Sequence, residues 1–359
     1  HLGSSFSSLD IVSYLYLFCI KSRDRFFSSK GHDAPGLYAV LAALDIIPFD
    51  LIHKLRRLGG LPGHPDIETP GMFTNTGSLG MGVSKAKGFL ATDELKGKND
   101  GKVYVMTGDG ELQEGQFWES LLSAGRSRSG NLTVIVDHNK IQSDTFVNKV
   151  NDLGDLELKF VAFGFECRRC DGHNIEEFSN ALEKPTSDGR PLAIIADTIK
   201  GRGVSFMEHT AMSHDQEYYQ YHSGAPSVED YIMASNELIE DINSRCHTAG
   251  LSTLSTKSVG FDPIIMSKSS RKMIPYYSDA LISQAKKNKN LVALDADLVL
   301  DTGLIPFKKS FENRFFECKT DGMIRNITLF SEARLFAIGW NSAVVKSIRG
   351  ATTYCEVLF

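Results

Sequence analysis

Four short, mostly apolar segments, three of them rich in β-branched residues, recur along the chain and are separated by segments with helical patterns. Segments of this kind are typical of strands that are buried on both faces of a parallel sheet. Because the strands alternate with helices, the pattern predicts right-handed crossovers and a doubly wound α/β fold. The strands are predicted at residues 102–107, 132–137, 164–168 and 192–198, and the helices between them at residues 116–124, 156–161 and 175–182.

The same patterns divide the chain into parts. Three further helices are predicted before the sheet, at residues 9–19, 35–44 and 79–90, and one after it, at residues 230–246. A polar stretch rich in Ser, Thr and Gly then predicts a linker, and a second α/β pattern starts at Met273. We therefore predict a first domain at residues 1–246, a linker at 247–272, the start of a second α/β domain at 273–318 and a divergent tail at 319–359.

Composition argues against several classes of protein. The 359 residues carry a formal net charge of −5, which gives no support to nucleic-acid binding, since that function normally needs a basic excess. No stretch approaches the roughly 18 consecutive apolar residues that a membrane span requires. The six cysteines are scattered, which favours a reducing compartment and therefore a cytoplasmic protein. Because the chain begins at His1 and not at Met, we expect the natural N-terminus to lie further upstream.

The most informative segment is Gly-Asp-Gly-Glu-Leu-Gln-Glu-Gly at residues 108–115, directly after a predicted strand. Its glycines allow the backbone to approach a phosphate closely, and Asp109 places a carboxylate beside it. Asn139 follows the next strand along the chain, so both side chains would lie at the same edge of the sheet. A carboxylate oxygen, an amide oxygen and a backbone carbonyl are hard ligands. Two diphosphate oxygens and one water would complete the octahedron that Mg²⁺ prefers.

A Gly-Asp-Gly sequence alone is usually a turn. Here the step of 30 residues from Asp109 to Asn139, with Leu-Gln-Glu-Gly after the first and Lys-Ile after the second, makes the motif more specific. On these residues the chain resembles the transketolases, which use thiamine diphosphate, over nearly all of residues 1–318. The resemblance implies a thiamine-diphosphate-binding fold in the first domain, followed by a truncated pyrimidine-binding domain.

The resemblance assigns a magnesium–diphosphate site. Its ligands would be Asp109, Asn139 and the carbonyl oxygen of Ile141, and Gly110 would lie beside the diphosphate. The dimer interface of the family contributes two glutamates that communicate between active sites, and these match Glu114 and Glu119.

Three more loops resemble cofactor and substrate loops of the family. Ser-Lys-Gly-His, which ends at His32, resembles Ser-x-Gly-His, whose histidine approaches the diphosphate and the substrate. Pro-Gly-His-Pro contains His64, which would contact the donor sugar. Thr-Gly-Ser-Leu-Gly-Met-Gly resembles the loop around the cofactor rings, so Gly77 would hold the aminopyrimidine and Leu79 would pack on the thiazolium, with Ser78 between them also at the cofactor.

Two further histidines complete the expected site. His1, in His-Leu-Gly-Ser, matches a histidine that contacts the substrate. The last histidine of the family follows a Lys-Gly-x-Gly turn, which here begins at Lys200 and is followed by an apparent insertion. His222, in His-Ser-Gly-Ala-Pro, and His214 are competing matches, of which we favour His222 at the cofactor and substrate. The resemblance thus implies catalytic roles for His32, His64 and His222.

The resemblance ends in the second domain. Residues 291–318 match the start of the pyrimidine-binding domain, but residues 319–359 contain no match to the Gly-Ile-Ala-Glu-Gln segment of the family. The glutamate of that segment activates the cofactor, and Glu332 has the wrong neighbours to replace it. Because active sites of the family lie between subunits, the resemblance implies a homodimer or a complex with a separate C-terminal transketolase subunit. Equally, a frameshift or a fragment explains the loss.

The leading hypothesis is a transketolase-type transferase that moves a two-carbon ketol unit between sugar phosphates, as in the pentose phosphate pathway, with Mg²⁺ and thiamine diphosphate as cofactors. We expect this chain alone to be incomplete. The loops that contain His32 and His64 favour a ketose donor, whose hydroxyls need hydrogen-bond partners. The alternatives are a 2-oxoacid dehydrogenase E1 component, a deoxyxylulose-phosphate synthase and a non-catalytic cofactor-binding subunit.

Overall fold

The computed structural model of the protein describes residues 1–98, 100–127, 129–213, 215–256, 273–295, 299–317 and 335–337. The chain divides into two compact units, His1–Gly224 and Ala225–Phe359. The domain limits predicted at residues 246, 272 and 318 stay predictions. His214 and Glu332 both lie outside the described residues.

A five-stranded parallel sheet forms the centre of the first unit, with the strand order β1-β2-β3-β7-β6. The two short strands β4 and β5 form a separate antiparallel pair directly after β3. The strands are β1 (Arg25–Ser28), β2 (Val103–Gly108), β3 (Leu132–His138), β4 (Ile141–Gln142), β5 (Thr145–Phe146), β6 (Glu166–Asp171) and β7 (Leu192–Asp197).

Among the described residues of the first unit, seven α-helices accompany this sheet, and a π-helical turn, Leu15–Cys19, extends the first of them. The helices are α1 (Leu2–Tyr14), α2 (Ala34–Ala43), α3 (Gly82–Leu95), α4 (Gly115–Arg126), α5 (Val147–Asn151), α6 (Leu156–Ala162) and α7 (Ile175–Glu183).

The predicted parallel α/β fold is confirmed. Every residue of β2 is buried, and so is every residue of β3 except His138, which requires that both faces of the sheet are covered. All four predicted strands are present with small shifts at their ends. The prediction missed β1, because its four residues, Arg-Phe-Phe-Ser, follow a charged segment and are too few to show a period.

Helix α1 begins seven residues before the predicted helix, at Leu2. The added turns are rich in serine, which has a weak preference for helices because its hydroxyl competes for backbone groups. Here Ser4, Ser5, Ser7 and Ser8 are buried, and three of their hydroxyls donate to a backbone carbonyl three or four residues earlier. Ser5 Oγ donates to the carbonyl of His1 at 3.1 Å, and Ser8 Oγ donates to that of Ser4 at 2.9 Å. Tertiary packing therefore overrides local preference at this end of the helix.

The second unit contains a second parallel sheet, of three strands in the order β10-β8-β9. The α/β pattern predicted from Met273 onward is present as a helix, Met273–Lys287, followed by a strand, Val292–Asp295. None of the helices in the described parts of the chain has the length and apolarity of a membrane span. The elements are α8 (Val228–Thr248), α9 (Met273–Lys287), β8 (Val292–Asp295), α10 (Val299–Thr302), α11 (Ile305–Ser310), β9 (Phe315–Glu317) and β10 (Leu335–Ala337).

Candidate active site

The carboxyl ends of the central strands bring several polar loops to one edge of the first sheet. Gly108 at the end of β2 is in register with Asp137 on β3. Asp109 and Asn139 therefore follow neighbouring strands, as expected from the sequence. The backbone N–H of Lys140, next to Asn139, donates a hydrogen bond to Asp109 Oδ2, which joins the two loops directly.

The three predicted metal ligands each present an oxygen atom in this region. Asp109 is only 2% exposed and accepts hydrogen bonds from the backbone N–H groups of Gly110 and Lys140. Asn139 Oδ1 accepts a hydrogen bond from the N–H of Ile141 at 3.1 Å. A carboxylate or carbonyl oxygen has two lone pairs, so these atoms keep acceptor capacity for a cation.

This oxygen set suits a hard divalent cation such as Mg²⁺. Burial raises the pKa of Asp109, which means that the charged carboxylate is poorly solvated and would be stabilised by a nearby cation. Among the described residues, no three His, Cys, Asp or Glu side chains come together as metal ligands. A metal here would therefore depend on the amide of Asn139 and the carbonyl of Ile141 as well as on Asp109.

A second buried carboxylate, Asp137, already has a cationic partner. Lys30 Nζ lies 2.6 Å from Asp137 Oδ2 and 3.2 Å from Asp33 Oδ2, and all three side chains are buried. Burial lowers the pKa of Lys30, but the carboxylates of Asp137 and Asp33 outweigh it and raise that pKa above its usual value. The hydroxyl of Ser7 also donates to Asp137, at 2.6 Å. Of Asp109 and Asp137, Asp109 is therefore the one suited to an added cation.

Asp137→Ala is expected to lower the free energy of unfolding by about 3–5 kcal/mol, because it leaves the buried ammonium of Lys30 without its nearest counterion. Urea unfolding of the variant and the parent measures this difference. Asp241→Ala is the matched control, since Asp241 pairs with Arg245 at 2.8 Å on the surface, where loss of the pair should cost less than about 1 kcal/mol. Equal effects of the two substitutions would contradict the assigned role of Asp137.

Four histidine side chains from separate loops form a cluster. The ring centroids of His1 and His222 are 5.2 Å apart, those of His32 and His222 5.3 Å, and those of His1 and His64 6.0 Å. His32 Nε2 also lies 3.0 Å from the hydroxyl of Ser4. The structure thus brings together four of the histidines that the sequence singled out, including the favoured His222.

Three of these histidines, His32, His64 and His222, have lowered pKa values that favour the neutral form. Burial, followed by the charges of Lys30 and Lys200, lowers the pKa of His32 well below its usual value. Burial and Lys200 do the same for the pKa of His222, and burial lowers the pKa of His64. A neutral imidazole can donate one hydrogen bond and accept another, which suits a polar, uncharged ligand rich in hydroxyls.

The loop of residues 77–80 packs tightly against the histidine loops. Gly77 has a φ of +91°, and a Cβ there would lie 2.7 Å from Cδ2 of His64. Only glycine therefore fits this position without a shift of the histidine. Leu79 is half-buried and Ser78 is exposed on the same loop. Glu114 packs against Gly80, whereas Glu119 lies on the exposed side of α4.

Two buried polar residues escaped the sequence analysis as functional candidates. Lys200 is 1% exposed, and its Nζ donates to the carbonyl oxygens of Ile141 and Ser143 at 3.2 and 3.0 Å. Glu111 is 3% exposed, and burial raises its pKa to about 7, although hydrogen bonds donated to it oppose that rise. Both residues stand inside recognised motifs, but sequence alone does not reveal that a charged side chain points inward.

A family model described as the thiamine diphosphate binding domain of transketolase matches residues 19–221. The chain is 38% identical over 227 residues to the 6-deoxy-6-sulfo-D-fructose transketolase subunit of Clostridium sp. (strain MSTE9), a match that covers 60% of this chain and 82% of that protein. It is 35% identical over 252 residues to an apulose-4-phosphate transketolase subunit of Actinobacillus succinogenes. That match covers 67% of this chain and 88% of that protein.

Longer relatives match a larger share of this chain but a smaller share of their own length. The transketolase of Rattus norvegicus is 30% identical over 341 residues, which cover 89% of this chain and 52% of that protein. The crystal structure of a transketolase from Campylobacter jejuni superposes with a TM-score of 0.51 at 21% identity, covering 84% of this chain and 58% of that chain. At that level of identity the superposition shows a shared fold.

Proposed function

The chain belongs to the transketolase family of thiamine-diphosphate enzymes, and on that premise we propose that it binds Mg²⁺ and thiamine diphosphate for the transfer of a two-carbon ketol unit between sugar phosphates. The observation that carries this proposal is the single sheet edge that combines a buried oxygen set with the histidine cluster. The oxygen set would serve the charged end of the cofactor, and the histidines would serve the sugar.

The diphosphate would lie beside Asp109, Asn139 and the backbone of Gly110. Asp109, Asn139 and the carbonyl of Ile141 would hold Mg²⁺, whose charge offsets that of the phosphates. A Cβ on Gly110 would lie 2.6 Å from Cβ of Gln142, so glycine keeps this approach open. Lys200 adds a buried positive charge 3.2 Å from the Ile141 carbonyl, where it would further stabilise an anionic group.

The cofactor, when bound, supplies an electron sink for cleavage of the carbon–carbon bond beside the ketose carbonyl. The residues of this chain would bind, orient and exchange protons with the sugar. His32, His64 and His222 would contact its hydroxyls, and their neutral state allows each to act as a donor or an acceptor. His222 Nδ1 is buried and has no hydrogen-bond partner among the described residues, so a substrate hydroxyl could satisfy it.

We also propose that the working enzyme contains a second polypeptide. Two relatives that this chain covers over 82% and 88% of their length carry names of transketolase subunits. A separate C-terminal transketolase subunit would supply the aminopyrimidine side of the site, and Glu114 and Glu119 would lie at the interface between the polypeptides. A homodimer is the other arrangement consistent with the family. The cytoplasmic location stays a prediction from the scattered cysteines.

His64→Ala and His32→Ala are each expected to lower ketose turnover by about 10- to 100-fold in the enzyme reconstituted with its second polypeptide, because each removes a hydrogen-bond partner of the sugar. Steady-state rates with a ketose-phosphate donor and an aldose-phosphate acceptor measure the loss.

The control for this pair of variants is His247→Ala, which changes an exposed histidine on α8 and should leave the rate unchanged. In His64→Ala and His32→Ala, the affinity for Mg²⁺ should change little. An equal loss with a short 2-oxoacid donor, which lacks the sugar hydroxyls, would contradict the assignment and favour a 2-oxoacid enzyme.

A further inference from the structure

Glu111 lies at the start of the 3₁₀ turn Gly110–Gln113 and has no part in the function proposed above. Its carboxyl group is buried and accepts hydrogen bonds from three separate segments. The hydroxyl of Ser29 and the backbone N–H of Gly80 donate to Oε1, the latter at 2.8 Å. The backbone N–H of Gly108 donates to Oε2 at 3.3 Å.

The three segments belong to different parts of the proposed site. Ser29 is the first residue of the Ser-Lys-Gly-His loop that carries His32, and Gly80 is the last residue of the ring loop, residues 77–80. Gly108 is the last residue of β2 and directly precedes Asp109. One side chain therefore connects the histidine loop, the ring loop and the diphosphate loop.

The packing around Glu111 leaves little freedom for these segments to shift independently. A Cβ on Gly82 would lie 2.5 Å from Cβ of Ser29, and a Cβ on Gly80 would lie 2.8 Å from Cβ of Glu114. Gly80 also has a φ of +78°, which glycine adopts readily and other residues rarely adopt. A bond to Gly80 N–H is thus well placed to control the position of the whole ring loop.

We propose that Glu111 is a positioning residue that fixes the separation between the ring loop, residues 77–80, and the diphosphate loop at Asp109. The correct separation allows the two ends of one thiamine diphosphate molecule to be held at the same time. This inference rests on the proposed function, since it assigns a role only if the site binds that cofactor.

The alternative is a general structural role, in which Glu111 supports the fold without setting any distance in the site. Two probes distinguish these roles. Thiamine diphosphate must contact both loops, whereas inorganic pyrophosphate with Mg²⁺ contacts only the diphosphate loop. Loss of a positioning contact should weaken the binding of thiamine diphosphate selectively. A general loss of structure should weaken the binding of both probes.

The test is calorimetric titration of the full chain, in Mg²⁺, with each probe. Glu111→Ala is expected to weaken thiamine diphosphate binding by about tenfold or more and pyrophosphate binding by less than about threefold. Glu111→Gln keeps one acceptor oxygen and the side-chain volume, so it should restore most of the affinity. If the alanine variant does not fold, Glu111→Gln provides the test. Its affinity for thiamine diphosphate should then fall more than its affinity for pyrophosphate, by a smaller factor than that expected for alanine.

Glu176→Gln, at an exposed position on α7, is the matched control and should behave as the parent with both probes. Equal losses for thiamine diphosphate and pyrophosphate, or no loss for either, would overturn the positioning role. A parent chain that binds pyrophosphate but not thiamine diphosphate would instead overturn the proposed function, and this inference with it.

Discussion

Asp109→Ala is expected to abolish Mg²⁺-dependent binding of thiamine diphosphate, with a fall in affinity of about a hundredfold or more. The substitution removes the one charged oxygen from the proposed ligand set and leaves the diphosphate beside an incompletely held cation. Calorimetric titration of the variant with the cofactor, with and without Mg²⁺, measures the loss.

Asp109→Asn provides the matched comparison. It keeps the shape of the side chain and one acceptor oxygen but removes the negative charge, so we expect an affinity between those of the parent and the alanine variant. Urea unfolding establishes whether both variants remain folded. Unchanged affinity of Asp109→Ala in Mg²⁺ would show that the metal, if present, is held elsewhere.

The second large effect concerns turnover. The purified chain alone is expected to bind the cofactor yet transfer ketol units at least about a hundredfold more slowly than the complex with a separate C-terminal transketolase subunit. In the family, a glutamate of the partner activates the aminopyrimidine, and loss of such acid–base assistance removes a factor of this size. Coupled assays of the chain, of the C-terminal polypeptide and of their mixture measure the difference.

Two controls define the result. The mixture should lose its activity when Asp109→Ala replaces the parent chain, which shows that the turnover depends on this site. Rates of the chain alone that equal those of the mixture would contradict the proposed need for a second polypeptide. Cofactor binding without turnover in either sample would favour a non-catalytic cofactor-binding subunit.

The sheet could be predicted well from the sequence because its central strands are mostly apolar. The segments that became β2, β3 and β7 are continuous apolar runs, and such runs have few alternatives to a buried parallel strand. The sequence predicted the approach of Asp109 to Asn139 for a related reason, since neighbouring parallel strands must end at one edge. It did not predict β1, where four residues carry too little pattern.

The polar interior was harder to foresee. Lys30, Lys200 and Glu111 are charged residues that a sequence-based argument places on the surface, because burial of an isolated charge is unfavourable. Each is buried here through contacts with residues distant in sequence. Lys30, in the loop after β1, pairs with Asp137 on β3, and Glu111 accepts a hydrogen bond from the N–H of Gly80. Only the folded chain shows these partners, so only the structure could identify the residues as candidates.

The most direct test of the account is calorimetric titration of the parent chain with thiamine diphosphate in the presence and absence of Mg²⁺. We expect saturable binding at one site per chain, at least about tenfold tighter with Mg²⁺, because Asp109, Asn139 and the Ile141 carbonyl would form an oxygen set for that cation. Absence of binding, or binding whose affinity does not depend on Mg²⁺, would contradict it.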